Sequence, residues 1–342
     1  MTEPLLSVED LRTYFHTPTA VAKSVDGVSF TVAPGETLGI VGESGCGKSV
    51  TALSILRLIQ QPGRIERGSK IMFEGKDLVT LDDAGMRDIR GNRISMIFQE
   101  PMSALNPVFS VGDQVAEVAR IHAGGSRQDA WKRAVEMLAL TGIPAPEERA
   151  KNYPHQLSGG MRQRVLIAMA LMMSPALVIA DEPTTALDVT IQAQILELLV
   201  DLQKKFGTSI LMITHDLGVI AETASRVIVM YCGEVVEEAD VKTLFEAAHH
   251  PYTEGLMHAM PQLGEPRARL NVIPGSVPPP TDWPTGCRFR ERCPYSWDLC
   301  EREHPPLYQI SEAHTSRCHL AIEPERRAHP HPPLVEQLGV PA

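Results

Sequence analysis

The sequence has no long hydrophobic run, no excess of positive charge and no apolar N-terminal segment, and each absence disfavours a class of protein. The longest nearly apolar stretch, residues 165–180, falls short of the roughly 20 residues of a membrane-spanning helix, and Pro175 interrupts it. A net charge of −10 disfavours nucleic acid as a partner. Residues 1–15 contain three acidic residues and an arginine, so we expect no secretory signal peptide. We therefore expect a cytoplasmic chain that does not itself cross a membrane.

The bulk composition is that of a globular protein with one large domain, or a large and a small one. The chain has 342 residues, of which 43% are hydrophobic and 22% charged. Short apolar strands alternate with helical segments, as at 176–180, 191–206 and 209–213, which predicts a parallel α/β sheet. After about residue 264 prolines become frequent, which predicts a linker or an irregular small domain without further sheet.

Residues 42–49 form a complete G-x-x-x-x-G-K-S phosphate loop. A predicted buried strand, 37–41, precedes it and a predicted helix, 49–58, follows it, which is the context that distinguishes this motif from a chance match. The glycines let backbone N–H groups point at phosphate oxygens, Lys48 adds charge for the β- and γ-phosphates, and Ser49 ligates Mg²⁺. The residues expected to bind nucleotide here are Gly42, Ser44, Gly45, Cys46, Gly47, Lys48 and Ser49.

A second chemical signal is a pair of carboxylates at the end of an apolar strand. Residues 177–182 read Leu-Val-Ile-Ala-Asp-Glu. Open α/β sheets bind ligands at the carboxyl ends of their strands. We expect Asp181 to reach Mg²⁺ and Glu182 to polarise the water that attacks the nucleotide. A solvated acidic turn is the alternative, which the phosphate loop disfavours.

A third signal is a second helix start suited to an anion. Residues 157–161 read Leu-Ser-Gly-Gly-Met and open a predicted helix. Ser158 can cap this helix, and Gly159 and Gly160 leave its first amides uncovered. One chain then offers two anion-binding helix starts for one triphosphate. This favours contact with a nucleotide held by another subunit, although a plain helix cap would give the same pattern.

In this order and spacing the three motifs resemble the ATPase subunits of ABC transporters. The resemblance implies that Gln99, which follows Ile97-Phe98, touches Mg²⁺ and senses the γ-phosphate. It also implies a D-loop at residues 186–188 and a switch histidine, His215, that contacts the γ-phosphate. Phe15 lies where the family stacks an aromatic ring on adenine, and Tyr14 is adjacent to it. The resemblance covers essentially residues 5–320.

Further segments resemble the ATPases of oligopeptide and dipeptide permeases, and most closely the dipeptide permease D-type subunit. These segments are Gly42-Glu43-Ser44-Gly45, residues 98–107, His250-Pro251-Tyr252-Thr253 and the Gly-Cys-x-Phe-x-x-Arg-Cys-Pro sequence at 286–294. The resemblance implies ATP hydrolysis coupled to import of dipeptides or oligopeptides, with ATP and Mg²⁺ as cofactors. Relatives also carry nickel and haem, and a soluble ABC ATPase without a transport role is a different alternative. The single cassette without a long heptad insertion disfavours the soluble class.

The implied fold is α/β: a RecA-like phosphate-loop NTPase core with an antiparallel β edge and an inserted helical subdomain. A small irregular Cys-rich C-terminal domain follows it. We expect the nucleotide-binding domain at 1–264, with its helical subdomain at about 101–164. The C-terminal extension is expected at 265–325 and a mobile tail at 326–342.

Four of the six cysteines crowd into 32 residues near the C-terminus: Cys287, Cys293, Cys300 and Cys318. In a reducing cytosol this suggests metal and not disulfides. The intervals of five, six and seventeen residues are wider than typical zinc knuckles, and a proline follows one cysteine, which suits an iron–sulfur cluster better. The resemblance also implies a [4Fe–4S] cluster. Zinc and free thiols remain as alternatives, and the cluster's role is either a structural staple or redox sensing.

The resemblance also implies partners. Two ATPase domains would sandwich two ATP molecules, and the second domain is expected to be a sister subunit in a heterodimer. Two membrane permease subunits would dock at about residues 99–120, and an extracytoplasmic peptide-binding protein would act indirectly. We expect no nucleic acid partner and a peripheral position on the cytoplasmic face of the cell membrane.

Overall fold

The computed structural model describes residues 3–185, 187–260 and 272–333, and these group into two compact units. The first unit contains residues 3–6, 32–37 and 73–213. The second contains 7–31, 38–72 and the described residues from 214 onward. The expected boundary at 264/265 lies outside the described residues, and the expected domain division remains a prediction.

The strands of the described residues are as follows: β1 (Leu6–His16), β2 (Val21–Val32), β3 (Thr37–Val41), β4 (Gly63–Ile65), β5 (Lys70–Phe73), β6 (Lys76–Asp77), β7 (Ile94–Ile97), β8 (Leu177–Asp181), β9 (Ser209–Thr214), β10 (Arg226–Tyr231), β11 (Glu234–Asp240), β12 (Tyr308–Ser311) and β13 (His314–Ser316).

The helices of the same residues are α1 (Lys48–Ile55), α2 (Asp83–Ile89), α3 (Pro101–Ala104), α4 (Val111–His122), α5 (Arg127–Leu140), α6 (Pro146–Arg149), α7 (Gly159–Leu171), α8 (Val189–Phe206), α9 (Leu217–Thr223), α10 (Val241–Ala247), α11 (Pro251–Ala259) and α12 (Asp298–Arg302), with 3-10 helices at Pro154–Gln156, His319–Ala321 and Pro324–Ala328.

In the first unit, three parallel strands carry the carboxylate motif. β8 pairs in parallel with β7 and with β9, and every residue of β8 is buried. A strand buried on both faces needs a continuous apolar sequence, which Leu177–Ala180 supplies. The helices α4, α5 and α7 pack against one another, and α7 also contacts β7. The parallel α/β arrangement and the helical segment are as the sequence predicts.

In the second unit, β3 delivers the chain to the phosphate loop. All five of its residues are buried, and it pairs in parallel with β10, which continues antiparallel into β11. α1 begins at Lys48 and ends at Ile55, three residues before the predicted end. The reason is Arg57, whose φ of +50° is left-handed and incompatible with a continuing helix. β1 pairs antiparallel with β4 in a separate sheet.

The C-terminal residues add strands that the sequence analysis did not predict. β13 pairs antiparallel with β11, at Glu237 with Ser316 and at Glu238 with Thr315, and β12 pairs with β13. The expectation of no further sheet in this region is therefore wrong. The strands have only four and three residues, too few for a periodic signal, and β13 joins the sheet through β11, which lies far earlier in the chain. The 3-10 helix Pro324–Ala328 spans the expected start of the tail.

Within the described part of the chain, no helix is both long and apolar enough to span a bilayer. The longest helix, α8, begins at Val189 because Asp188 accepts a hydrogen bond from the Ile191 amide. It ends at Gly207, whose φ of +66° lets the chain turn into β9.

Candidate functional site

The phosphate loop of the second unit has the backbone that a cradle for phosphate requires. Gly42 has a φ of +155°, and a Cβ at this position would lie 2.3 Å from the Met230 carbonyl oxygen. Gly47 has a φ of +107°, and a Cβ there would lie 2.4 Å from the Ser24 carbonyl oxygen. Both positions therefore require glycine on steric grounds. Ser44 and Gly45, between them, are exposed to solvent.

Lys48 lies at the start of α1 with its ammonium group directed back over the loop. It donates hydrogen bonds to the carbonyl oxygens of Gly42, at 2.7 Å, and Glu43, at 3.0 Å. Its side chain is buried. Cys46, also buried, donates its amide to the Glu43 carbonyl oxygen at 3.3 Å, and burial raises the pKa of its thiol. Lys48 and Cys46 both bond the Glu43 carbonyl oxygen, so the two ends of the loop are linked to each other. Ser49 lies in the first turn of the helix.

Glu43 is held from outside the loop as well. Arg292 makes a two-pronged contact with its carboxylate, at 2.6 and 3.0 Å. The buried Tyr252 hydroxyl accepts a hydrogen bond from the Glu43 amide at 2.7 Å. Neither contact was predicted from the sequence. Arg292 and Tyr252 do lie in two of the segments that carry the permease resemblance, which is the only signal that could have pointed to them.

The carboxylate pair of the first unit lies where the sequence analysis expected it, at the end of β8. Asp181 is buried, and Glu182 is half-buried with a φ of +48°. A left-handed conformation in a residue with a side chain is uncommon and is concentrated at functional sites. The Glu182 amide donates to the Ile213 carbonyl oxygen at 2.8 Å, which fixes the turn against β9.

The structure brings Gln99 and Glu182 together. The Gln99 amide group donates to the Glu182 carboxylate at 2.9 Å, and the Thr185 hydroxyl donates to the same oxygen at 2.8 Å. Sequence analysis identified Gln99 and Glu182 separately and missed Thr185. Gln99 is exposed, so this partner is free to leave the carboxylate without disturbing a packed core.

The second helix start, in the first unit, has the predicted cap. Ser158 is the N-cap of α7 and accepts a hydrogen bond from the Met161 amide at 3.4 Å. Ser158 and Gly159 are exposed. A Cβ on Gly160 would lie 2.7 Å from the Ile191 side chain of α8, so this glycine also permits close helix packing. The exposed residues of this turn are accessible to another molecule.

Two further candidates lie in the second unit. His215 follows β9 and is exposed. Phe15 is half-buried near the end of β1, where it pairs with Gly63 of β4. The neighbouring Tyr14 instead donates its hydroxyl to Asp26, a contact that raises the pKa of this tyrosine, together with burial as the larger cause. Of the expected D-loop, Ala186 lies outside the described residues, and Asp188 caps α8.

The four C-terminal cysteines are all buried and line one pocket. Burial is the largest cause that raises the pKa of each thiol, to about 12 for Cys287. The neighbouring cysteines, which line the same pocket, add to the rise in pKa at Cys287, Cys293 and Cys318. Among the described residues, however, no three His, Cys, Asp or Glu side chains are arranged to hold a metal ion.

Comparison with protein families gives two matches. The ABC transporter family matches residues 25–185. A second family, the C-terminal region of oligopeptide and dipeptide transporters, matches residues 236–300. The second match begins within β11, the strand with which the C-terminal strand β13 pairs.

Among curated relatives, a probable peptide ABC transporter ATP-binding protein of Sinorhizobium fredii is 54% identical over 92% of this chain and 94% of its own. The oligopeptide transport ATP-binding protein AppD of Bacillus subtilis is 52% identical, over 93% and 97%. The dipeptide transport ATP-binding protein DppD of Escherichia coli is 47% identical, again over 93% and 97%.

Among solved structures, the ATP-binding cassette MJ0796, a dimer in a post-hydrolysis state bound to ADP and Pi, matches with a TM-score of 0.62 and 28% identity. The match covers 69% of this chain and 98% of that one. The protein cbiO1 of Clostridium perfringens, part of an ABC transporter complex, matches with a TM-score of 0.61 and 28% identity, over 72% and 92%.

Proposed function

Because the chain belongs to the ABC transporter family, among the ATP-binding proteins of peptide transporters, we propose that it is the ATP-hydrolysing subunit of a dipeptide or oligopeptide importer. The observation that carries the ATPase role is the Glu182 carboxylate. It lies at a strand end in a left-handed turn, bonded by Gln99 and Thr185, in a chain with a complete phosphate loop. The peptide substrate class comes from the family and from the relatives' names.

In this mechanism the loop amides and Lys48 bind the β- and γ-phosphates of ATP. Ser49, and Asp181 through water, would hold Mg²⁺, which would neutralise charge on the phosphates. Glu182 accepts a hydrogen bond from the attacking water and polarises it as it approaches the γ-phosphorus. Gln99, which bonds the Glu182 carboxylate here, would leave it to contact Mg²⁺ and sense the γ-phosphate.

The remaining motif residues complete this proposal. His215 donates a hydrogen bond to the γ-phosphate, for which its exposed position after a buried strand is suitable. Phe15 stacks on the adenine ring. Phe15 is favoured over Tyr14 because the Tyr14 hydroxyl already donates a hydrogen bond to Asp26.

We further propose that Ser158, Gly159 and Gly160 contact an ATP held by a second ATPase subunit. The start of α7, where Ser158 and Gly159 are exposed, suits the γ-phosphate of a nucleotide on another chain. The similar cassette MJ0796 is a dimer bound to ADP and Pi. In the peptide permease family this second subunit is expected to be a sister chain.

The substitution Ser158→Arg tests the pairing. An arginine at this exposed cap should leave ATP binding to the isolated subunit unchanged and reduce hydrolysis at the partner's phosphate loop. Hydrolysis at the two phosphate loops is measured separately in mixed assemblies. In these, only one subunit carries Lys48→Ala or the equivalent substitution, which inactivates its own phosphate loop. Loss of hydrolysis at this chain's own phosphate loop, with the partner's unaffected, would contradict the proposal.

The membrane partners are proposed to dock on the segment around residues 99–120. Val108 and Phe109, in the turn before α4, are 70% and 54% exposed. Large apolar side chains at the surface are typical of interaction sites when they cluster. The chain would thereby lie peripherally on the cytoplasmic face, beneath two permease subunits that receive peptide from an extracytoplasmic binding protein.

Cys287, Cys293, Cys300 and Cys318 are proposed to hold one [4Fe–4S] cluster, with zinc as the alternative. Four buried thiols lining one pocket in a proline-rich segment supply the right donor chemistry. The cluster would stabilise the surrounding segment, and no step of ATP hydrolysis requires it.

Anaerobic purification tests this cofactor. Protein with the cluster should be brown, with broad absorbance near about 400 nm, and should contain iron and sulfide. Cys46→Ser and Cys232→Ser are matched controls that should keep the colour, whereas Cys293→Ser should lose it. If the protein contains about one zinc per chain and no iron or sulfide, the four cysteines bind zinc instead.

The function itself is tested by copurification and ATPase assay. The tagged chain, expressed with its neighbouring genes, should copurify with two multi-spanning membrane proteins and a second ATPase. In liposomes the complex should hydrolyse ATP faster when a peptide-loaded binding protein is present. A chain that hydrolyses ATP but recovers no membrane protein would refute the transport role.

A further inference from the structure

One residue of the phosphate loop, Glu43, is held at three points. Its carboxylate receives two hydrogen bonds from Arg292, and its amide donates to the Tyr252 hydroxyl. Its carbonyl oxygen accepts from the Lys48 ammonium group and the Cys46 amide. The last two contacts belong to the loop itself. The first two come from residues more than 200 positions further along the chain, in the same compact unit.

The Arg292 side chain is rigidly fixed. It is only 2% exposed and donates from every nitrogen of its guanidinium group. Nε donates to the Pro274 carbonyl oxygen at 2.8 Å, and Nη2 also reaches the Ile273 carbonyl oxygen at 3.3 Å. A planar guanidinium with all its donors engaged cannot rotate without breaking several bonds at once.

Aromatic packing surrounds this contact. The Arg292 guanidinium lies 5.8 Å from the ring centre of Tyr231 and 5.9 Å from that of Phe289. Phe289 packs in turn on Tyr252, with ring centres 5.4 Å apart. Arg292 and Tyr252, which both bond Glu43, therefore share one buried aromatic cluster. The position of Glu43 depends on how that cluster is packed.

This geometry matters for phosphate binding because Glu43 lies between Gly42 and the amides that face phosphate. A shift of its peptide moves the acceptor that holds Lys48, and Lys48 is the group that must meet the β- and γ-phosphates. A loop whose amides are already fixed in the binding conformation loses less entropy when it binds an anion. An unanchored loop would have to be ordered by ATP itself.

We propose that Arg292 is a positioning residue for the phosphate loop: through Glu43 it holds the loop in its ATP-binding conformation, so that nucleotide affinity depends on the C-terminal residues packed around it. The inference rests on the proposed ATPase function. It assigns a role to an arginine that touches neither nucleotide nor Mg²⁺. It also predicts an effect on affinity that is separate from the rate of hydrolysis.

The test compares Arg292→Met with Arg292→Lys in the full chain. Binding of mant-ATP with Mg²⁺ is measured by fluorescence titration, and KM and kcat are measured in the assembled transporter. For Arg292→Met we expect the Kd for mant-ATP and the KM for ATP to rise about tenfold, because both charge-assisted hydrogen bonds to the Glu43 carboxylate are lost and the loop relaxes. The kcat at saturating ATP should stay within threefold. Arg292→Lys, which keeps the charge, should recover part of the affinity.

Arg317→Met is the matched control. Arg317 lies in the same C-terminal segment, is mostly buried and bonds the Val235 carbonyl oxygen at 2.9 Å, and it has no contact with Glu43. If Arg292 acted only by stabilising the fold, both variants would lower the melting temperature and neither would change the Kd of the folded protein. An unchanged Kd in folded Arg292→Met would overturn the proposal.

Glu43→Gln keeps the test decisive if Arg292→Met does not fold. It removes the charge from the loop side and should raise the Kd for mant-ATP by a similar factor. In the double variant, which carries Arg292→Met and Glu43→Gln together, the two effects on the Kd should not add, because both substitutions remove the same contact between these residues. Additive effects would contradict the proposal. Failure of the wild-type chain to bind mant-ATP would instead refute the ATPase function itself, so the two failures are distinguishable.

Discussion

Two glutamates, Glu43 and Glu182, both belong to predicted nucleotide-binding motifs, and their surroundings are opposite. Glu43 is bonded by the buried Arg292, whose guanidinium nitrogens all donate hydrogen bonds. Glu182 is bonded by Gln99, which is exposed, and by the hydroxyl of Thr185, three residues away. The Glu43 carboxylate thus bonds a buried side chain, whereas the Glu182 carboxylate bonds an exposed side chain and a residue of its own loop.

The difference follows from what each carboxylate has to do. A group that polarises water must exchange its hydrogen-bond partners during turnover, so its partners must be able to leave without a large cost. A group that holds a binding loop in shape must not exchange partners at all. We therefore expect substitutions near Glu182 to change the rate of hydrolysis and substitutions near Glu43 to change nucleotide affinity.

The largest expected effect is that of Glu182→Gln. Removing the carboxylate that polarises water should lower kcat by about 10²–10⁴. ATP should still bind with an affinity within threefold of wild type, because the phosphate loop is intact, and the ATPase dimer should stay closed. Hydrolysis by the assembled transporter and mant-ATP titration measure the two quantities. A kcat within threefold of wild type would remove Glu182 from the catalytic role.

Thr185→Val should have a smaller effect of the same kind. Valine replaces the hydroxyl by a methyl group of similar size, so Glu182 loses the hydrogen bond from Thr185. We expect kcat to fall about fivefold to tenfold, at an unchanged KM for ATP, from the loss of one charge-assisted bond. Thr184→Val, at the neighbouring position, is the matched control and should leave kcat unchanged. If Thr185→Val changed the KM for ATP and not kcat, then contacts near Glu182 would control nucleotide affinity, and the distinction between Glu182 and Glu43 would be wrong.

The positions of these motifs in the fold were predictable from the sequence because they depend on local features. A strand, a glycine-rich loop and a helix start follow one another within 42–49 and its flanks, and Asp181 and Glu182 lie at the end of an apolar strand. The contact of Glu182 with Thr185 was not predicted, because no sequence pattern marks it.

The surroundings of Glu43 could not be predicted, because its partners are more than 200 residues distant and leave no periodic pattern. The same limit explains the missed strands β12 and β13. Both are short. The place of β13 in the sheet is set by its pairing with the distant β11, and β12 joins the sheet by pairing with β13. Prolines after residue 264 predicted an irregular segment, which is correct for the connections and wrong for these strands.

Tyr252→Phe removes a single atom from the contacts of Glu43. The Glu43 amide then loses its acceptor in a place where the ring excludes water. An unsatisfied backbone donor costs about 1–3 kcal/mol, and the loop is expected to relax to recover part of this. We expect the KM for ATP to rise about threefold, less than for Arg292→Met, with kcat unchanged. A lower kcat at constant KM would place Tyr252 with the catalytic residues instead.

The smallest effect on ATP kinetics is expected at a third glutamate, Glu237, which tests whether burial alone explains the comparison. Its carboxylate is fully buried in β11 and accepts bonds from the amides of His249 and His250, at 2.5 and 3.0 Å, and contacts the His314 ring at 2.7 Å. Burial tends to raise the pKa of this group, but the hydrogen bonds outweigh it and lower the pKa below its usual value.

Glu237 therefore contributes stability above its unfolded pKa of about 4.5, and this contribution is lost as the pH falls through the lower folded pKa. Glu237→Gln should cost roughly 1–3 kcal/mol of unfolding free energy at pH 7 and flatten the acid side of the stability curve, as denaturant titrations at several pH values would report. Glu237 reaches the loop only indirectly, through His250, which accepts from the Tyr252 amide, so the KM for ATP should stay within about twofold of wild type. A tenfold rise in KM would mean that any buried anchor in this unit controls nucleotide affinity, and Arg292 would lose its special role.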